Sequence, residues 1–112
     1  MITYSLNKYG LREKDMQYML KLFAELPAIE KVILYGSRAD GSFEKGSDVD
    51  LAVAGKKVTF SDISHIHFML ENESPTLLWF DVLHYNTLTN EKLKQNIKTN
   101  GVVIYEKIMS DE

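Results

Sequence analysis

The sequence predicts a small α/β domain, a mixed β-sheet with helices packed on it. Three observations lead there. A stretch from about Arg12 to Leu26 has helical apolar spacing, a short β-branched run follows at Val32 to Tyr35, and later segments alternate between the two patterns. The resulting order is α-β-β-α-β-α-β.

In the first helix, Met16, Met19, Leu20, Phe23 and Leu26 recur at three- and four-residue intervals and form one apolar stripe, with the methionines read as core. Arg12 stands where Ser or Asp would cap, so that end is weakly specified. Pro27 ends the hydrogen-bond ladder. Val32-Ile33-Leu34-Tyr35 has no polar interruption and reads as a buried strand that runs into Gly36-Ser37. A loop punctuated by Gly41 and Gly46 leads to a second strand, Val49 to Val53. There Asp48 and Asp50 share one face, and Val49 and Leu51 the other. After a turn at Gly55-Lys56-Lys57, Ser61 to about Leu70 reads as a helix with Ile63, Ile66, Met69 and Leu70 inward. Leu77 to Leu83 is a third strand, with Trp79 and Phe80 taken as core. Thr89 or Asn90 caps a last helix carrying Leu93 and Ile97, and Gly101 stops it. Val102 to Tyr105 forms a final strand at a sheet edge.

A chain of 112 residues fits one domain, 1–112, with a motif-bearing core at 31–83. A hydrophobic content of 45% supports a core, but this size leaves no room for a deep two-lobed cleft. The absence of cysteine excludes disulfides, thiolate metal sites and a cysteine nucleophile. With 13 Lys and Arg against 16 Asp and Glu, the net charge is −3, so no long nucleic acid is expected as partner. No apolar run approaches the roughly 20 residues that span a bilayer, and Met1 to Gly10 is too mixed for a leader. No membrane is expected, and the cytoplasm is the expected compartment.

The informative stretch runs from Gly36 to Leu51. A buried strand ending in Gly36-Ser37 lets the backbone approach a phosphate closely. A helix starting after it would aim free amides at that phosphate. Ser37 adds a hydroxyl donor, Arg38 adds charge or braces the loop, and Ser47 stands beside the acidic pair. Asp48 and Asp50 project from one strand face, and such close like charges call for a cation between them. Carboxylates together with substrate phosphates are the usual setting for Mg²⁺. The Gly41 to Ser47 segment lacks the Lys of a Walker A loop, since Gly46 occupies that place, and the P-loop reading is rejected.

Gly36-Ser37, ten residues, then Asp48-x-Asp50 resembles the signature of the DNA polymerase β-like nucleotidyltransferase superfamily. The wider string, Leu34-Tyr35-Gly36-Ser37-Arg38-Ala39 through Ser47-Asp48-Val49-Asp50-Leu51, is similar to its minimal nucleotidyltransferase branch, whose layout fits from Leu11 to Tyr105. The resemblance implies a third metal-facing carboxylate, matched by Asp81, and makes Asp48, Asp50 and Asp81 catalytic and metal-binding, with two Mg²⁺ ions. It implies nucleotide contacts at Gly36, Ser37, Arg38 and Ser47. Asp40 departs from the pattern, which commonly has a basic residue there. The implied activity is transfer of AMP from ATP. The implied acceptor is a tyrosine of a helical HEPN-type toxin, this chain being the antitoxin, in a homo- or hetero-oligomer. Two alternatives stand beside it: a transferase acting on a small molecule, and a nucleotide- or protein-binding antitoxin without turnover. The length agrees with a protein acceptor, because the chain has no acceptor-binding domain of its own.

Other polar residues read plainly. His65 and His67, two apart on a helix, diverge and share no ion. His84 is a rim residue, and Asp111-Glu112 is a solvated end.

Overall fold

The computed structural model of the protein describes residues 7–107; Asp111 and Glu112 lie outside them. Four strands form one mixed sheet, with α1 (Glu13–Ala24), β1 (Lys31–Tyr35), α2 (Ser37–Asp40), β2 (Val49–Ala54), α3 (Phe60–Asn72), β3 (Phe80–His84), α4 (Glu91–Asn100) and β4 (Val102–Glu106) in chain order. The strand order is β3-β2-β1-β4. β1 is antiparallel to β2 and to β4, whereas β2 and β3 run parallel. The expected small mixed sheet with packed helices is therefore the fold, and β4 is the edge strand it was expected to be.

Alternation along the central strands divides the core in two. Val32 and Leu34 of β1 join Val49, Leu51 and Val53 of β2 beneath Met19, Leu22 and Phe23 of α1 and Ile66 and Leu70 of α3. On the opposite face Ile33, Tyr35 and Ala52 meet Ile97 of α4. Successive strand residues thus face different helices, which is why β1 carries an unbroken apolar run.

Helix ends are set by side chains. The weak cap expected at Arg12 is supported by Asp15, whose carboxylate accepts from the Arg12 backbone amide at 3.1 Å and from its guanidinium at 3.1 and 3.0 Å. α3 starts at Phe60 because Thr59 and Asp62 form a reciprocal capping box, with Asp62 N donating to Thr59 Oγ1 at 3.1 Å and Thr59 N to Asp62 Oδ2 at 2.9 Å. Asn90 caps α4 through a 3.1 Å bond from Leu93 N. Gly101 stops α4 for a reason other than the left-handed conformation usual there: its φ is −71°. A Cβ at Gly101 would strike Ile97 O and Ile33 Cγ2, so what the site requires is space.

The third strand begins at Phe80, three residues later than the apolar run suggested, because Thr76 Oγ1 accepts from Leu78 N at 3.1 Å and holds the chain in a loop. Trp79 also differs from expectation. Phe80 is core at 4% exposure, but Trp79 is 68% exposed. The histidines are structural: His67 Nε2 donates to Phe80 O at 3.1 Å, His84 Nε2 donates to Gly55 O at 3.0 Å, and His65 is exposed. Among the described residues, no helix is long and apolar enough to cross a membrane.

Candidate active site

β1 ends in a turn that only glycine can make. Gly36 has φ 76° and ψ −154°, a region essentially closed to residues with a Cβ. A Cβ there would also collide with Asp50 Oδ2, so the bare backbone lets the Asp50 carboxylate lie against the turn. Ser37 opens α2, a single helical turn, and its amide has no partner within that helix. Among the described residues the half-buried Ser37 hydroxyl makes no hydrogen bond, so both donors are available to a ligand.

Across the sheet from this turn runs a row of polar side chains. Tyr35 of β1 is opposite Asp50 of β2, and Asp50 is opposite Asp81 of β3. Directly opposed residues share a sheet face, so the three belong to one row. Asp48 is exposed just before β2, Asp50 is half-buried and Asp81 is exposed. Burial pushes the Asp50 carboxyl above its ordinary value, and the charges of Asp81 and Asp48 push it further. Burial likewise raises the Tyr35 phenol, with Asp81 and Asp50 adding to the shift, so Tyr35 remains protonated beside the carboxylates. Tyr35 went unnoticed in the sequence as a site residue. Its signal, a tyrosine immediately before Gly36, acquires meaning only through the register that sets it against Asp50.

The three aspartates share a field without forming a closed ligand set. Among the described residues, no group of three or more His, Cys, Asp or Glu side chains could hold a metal by itself. The donor chemistry nevertheless suits Mg²⁺, which takes oxygen ligands and normally completes its shell with waters and substrate phosphates. The converging charges of Asp48, Asp50 and Asp81, with Asp50 seated against the bare Gly36 backbone, fit such an ion.

Arg38 and Ser47, expected to touch a nucleotide, both make bonds within the loop that leads to Asp48. Arg38 is 1% exposed and donates to five carbonyl contacts: Tyr9 O at 2.9 Å, Gly10 O at 3.3 Å, Lys45 O at 3.4 Å, and Ser47 O at 3.0 and 2.9 Å. Its guanidinium carbon lies 5.0 Å from the centre of the Phe43 ring. Of the two roles read from sequence, charge or brace, the arrangement is that of a brace. Ser47 Oγ accepts from Glu44 N at 2.8 Å and closes the turn before Asp48. Asp40 is turned away too: its carboxylate accepts from the Ser42 hydroxyl at 2.6 Å and the Ser42 amide at 2.8 Å, and those bonds hold its carboxyl below the ordinary value.

A family model described as Polymerase beta, Nucleotidyltransferase matches residues 17–109. Among solved structures, a chain of one described as a toxin-antitoxin with AMP-PNP superposes with a TM-score of 0.69 at 19% identity, covering 82% of this chain and 73% of that one. A chain of the toxin-antitoxin MntA-HepT gives 0.62 at 17% identity, over 83% of this chain and 71% of that one. Similarity at these identities is similarity of fold. No curated protein matches the chain.

Proposed function

This chain belongs to the polymerase beta nucleotidyltransferase family, and from that premise we propose that it moves AMP from ATP onto a tyrosine hydroxyl of a helical HEPN-type partner. The observation that carries the reading is the row in which Asp50 lies against Gly36 and opposite Asp81. In this reading the Gly36-Ser37 turn receives the terminal phosphates through a backbone amide and the Ser37 hydroxyl. Asp48, Asp50 and Asp81 are the carboxylates that would hold Mg²⁺, two ions in all. When bound, the metal neutralises charge on the pyrophosphate and on the attacking oxygen.

The residues do the rest. The tyrosine oxygen forms a bond to the α-phosphorus, and the bond from that phosphorus to the pyrophosphate oxygen breaks. The electron pair leaves with pyrophosphate, and the phenolic proton passes to the exposed Asp81 carboxylate and on to solvent. Arg38 and Ser47 act indirectly, by fixing the loop that delivers Asp48. The reading makes the whole chain, 1–112, one domain working in the cytoplasm. Support for the partner comes from the fold shared with solved toxin-antitoxin structures, and for the nucleotide from AMP-PNP in one of them.

The test is transfer of label from α-³²P-ATP to a HEPN-type protein. Label should appear on the partner with Mg²⁺, vanish in EDTA, and fall at least about a hundredfold in Asp48→Asn/Asp50→Asn. Labelling at the wild-type rate by a folded double variant would sink the proposal.

A further inference from the structure

We propose that Trp79 is the acceptor-positioning shelf of the transfer site, meeting the flank of the tyrosine whose hydroxyl is to be modified. This rests on the transferase reading above and adds to it where the acceptor sits.

Burial alternates along the segment that leads into β3. Leu78, Phe80 and Val82 pack into the core beneath α1 and α3. Where the chain enters the strand, the alternation sets Trp79 and Asp81 opposite to these: Trp79 is 68% exposed and Asp81 is exposed, whereas Leu77, still in the preceding loop, lines a cavity beside Arg12 and Asp15 of the α1 side. Trp79 therefore lies on the same face as Asp81, about 7 Å before it along the chain. A tryptophan this exposed gains nothing from the core. It stands just before the edge strand that carries Asp81, where another molecule can reach it.

The chemistry decides which molecule. Attacking and leaving oxygens lie roughly in line through phosphorus. The leaving pyrophosphate belongs at the Gly36-Ser37 turn, after β1. Asp81 lies two strands from β1, about 10 Å across the sheet. An acceptor opposite the pyrophosphate must then enter from the β3 side, past Asp81, where Trp79 offers an exposed apolar face. A tyrosine ring packs well on an indole face, and such contact orients its hydroxyl toward the row.

Trp79 is the single tryptophan in the chain, so its emission reports this one spot. The probe is N-acetyl-tyrosinamide. Added to protein loaded with Mg²⁺ and AMP-PNP, it should lower acrylamide quenching of Trp79 at least about twofold, while Mg²⁺ and AMP-PNP alone should leave quenching unchanged. Protection by AMP-PNP alone overturns the proposal, because the ring then faces the nucleotide base. Absence of protection by the probe overturns it as well. In turnover with Mg²⁺ and ATP, Trp79→Ala should raise KM for the probe about tenfold, with kcat and ATP affinity held within about twofold, and Trp79→Phe should recover most of the loss. An unchanged KM in Trp79→Ala overturns the proposal. A wild-type protein that transfers no AMP, yet has Trp79 shielded by the probe, sinks the transferase reading and leaves the shelf standing.

Discussion

Asp50 and Asp81 stand directly opposite each other on adjacent parallel strands, so two carboxylates face one sheet side across a single ladder step. Like charges at that spacing disfavour joint ionisation, and burial adds to the cost at Asp50. A carboxyl raised in this way binds its proton more tightly in the folded chain than in the unfolded one. Its contribution to stability is complete below the ordinary aspartate value, near 4, and is lost as pH rises through the raised value. At pH 7 without divalent metal, ionised Asp50 therefore opposes folding. Asp50→Asn should raise Tm by a few degrees at pH 7, and the gain should disappear below about pH 4. Thermal melts in EDTA across that range check both halves, and a lower Tm at pH 7 would contradict the first.

The Gly36-Ser37 turn separates two kinds of defect. Gly36→Ala places a Cβ against Asp50 Oδ2 in a glycine-only conformation, and the fold should lose about 1–3 kcal/mol for the backbone alone. Ser37→Ala removes a hydroxyl that bonds nothing else among the described residues, so Tm should not move. Affinity for Mg²⁺ and AMP-PNP should instead fall by about 1.5–3 kcal/mol, the worth of one hydrogen bond to a charged group. Calorimetry and melting curves on the two variants should give opposite patterns, and a shared pattern would mean the turn is only structural.

Arg38 should behave as core. Arg38→Ala leaves the carbonyls of Tyr9, Gly10, Lys45 and Ser47 without their buried donor, and each acceptor left buried and unpaired costs about 1–3 kcal/mol. Arg38→Lys should recover little of this, since an ammonium lacks the planar fork that reaches several carbonyls at once. Chemical denaturation measures the loss. A residue that touched only nucleotide would leave the unfolding midpoint where it was.

How far the sequence could be read depended on how local each signal is. The β1 run, the Gly36-Ser37 turn and the Asp48-Val49-Asp50 alternation were legible because each is written within a few neighbouring residues. Asn90 as a cap was legible for the same reason. Tyr35 was not, because its place beside Asp50 and Asp81 depends on a register between strands that no single segment encodes. Trp79 reads as core in the sequence because its neighbours are those of a buried strand, yet it is exposed. Only the alternation anchored by Phe80 and Val82 turns it outward. Arg38 followed the motif in position, but whether it faced a ligand or the interior depended on loop carbonyls distant in the chain.

The way the strands are joined also governs the order in which the carboxylates come together. Asp48 and Asp50 arrive with the antiparallel β1–β2 pair, whose two strands are joined by the chain segment between them. Asp81 is added by a parallel partner, reached only after the chain has crossed the sheet through α3, and it lies on an outer strand. Non-local parallel pairing forms late and at greater entropic cost, and outer elements open before inner ones. Amide exchange in the native protein should therefore fall into two classes, with β3 released at lower free energy than β1 and β2. A transient opening of that one strand would dismantle the row while the hairpin beneath it stayed folded.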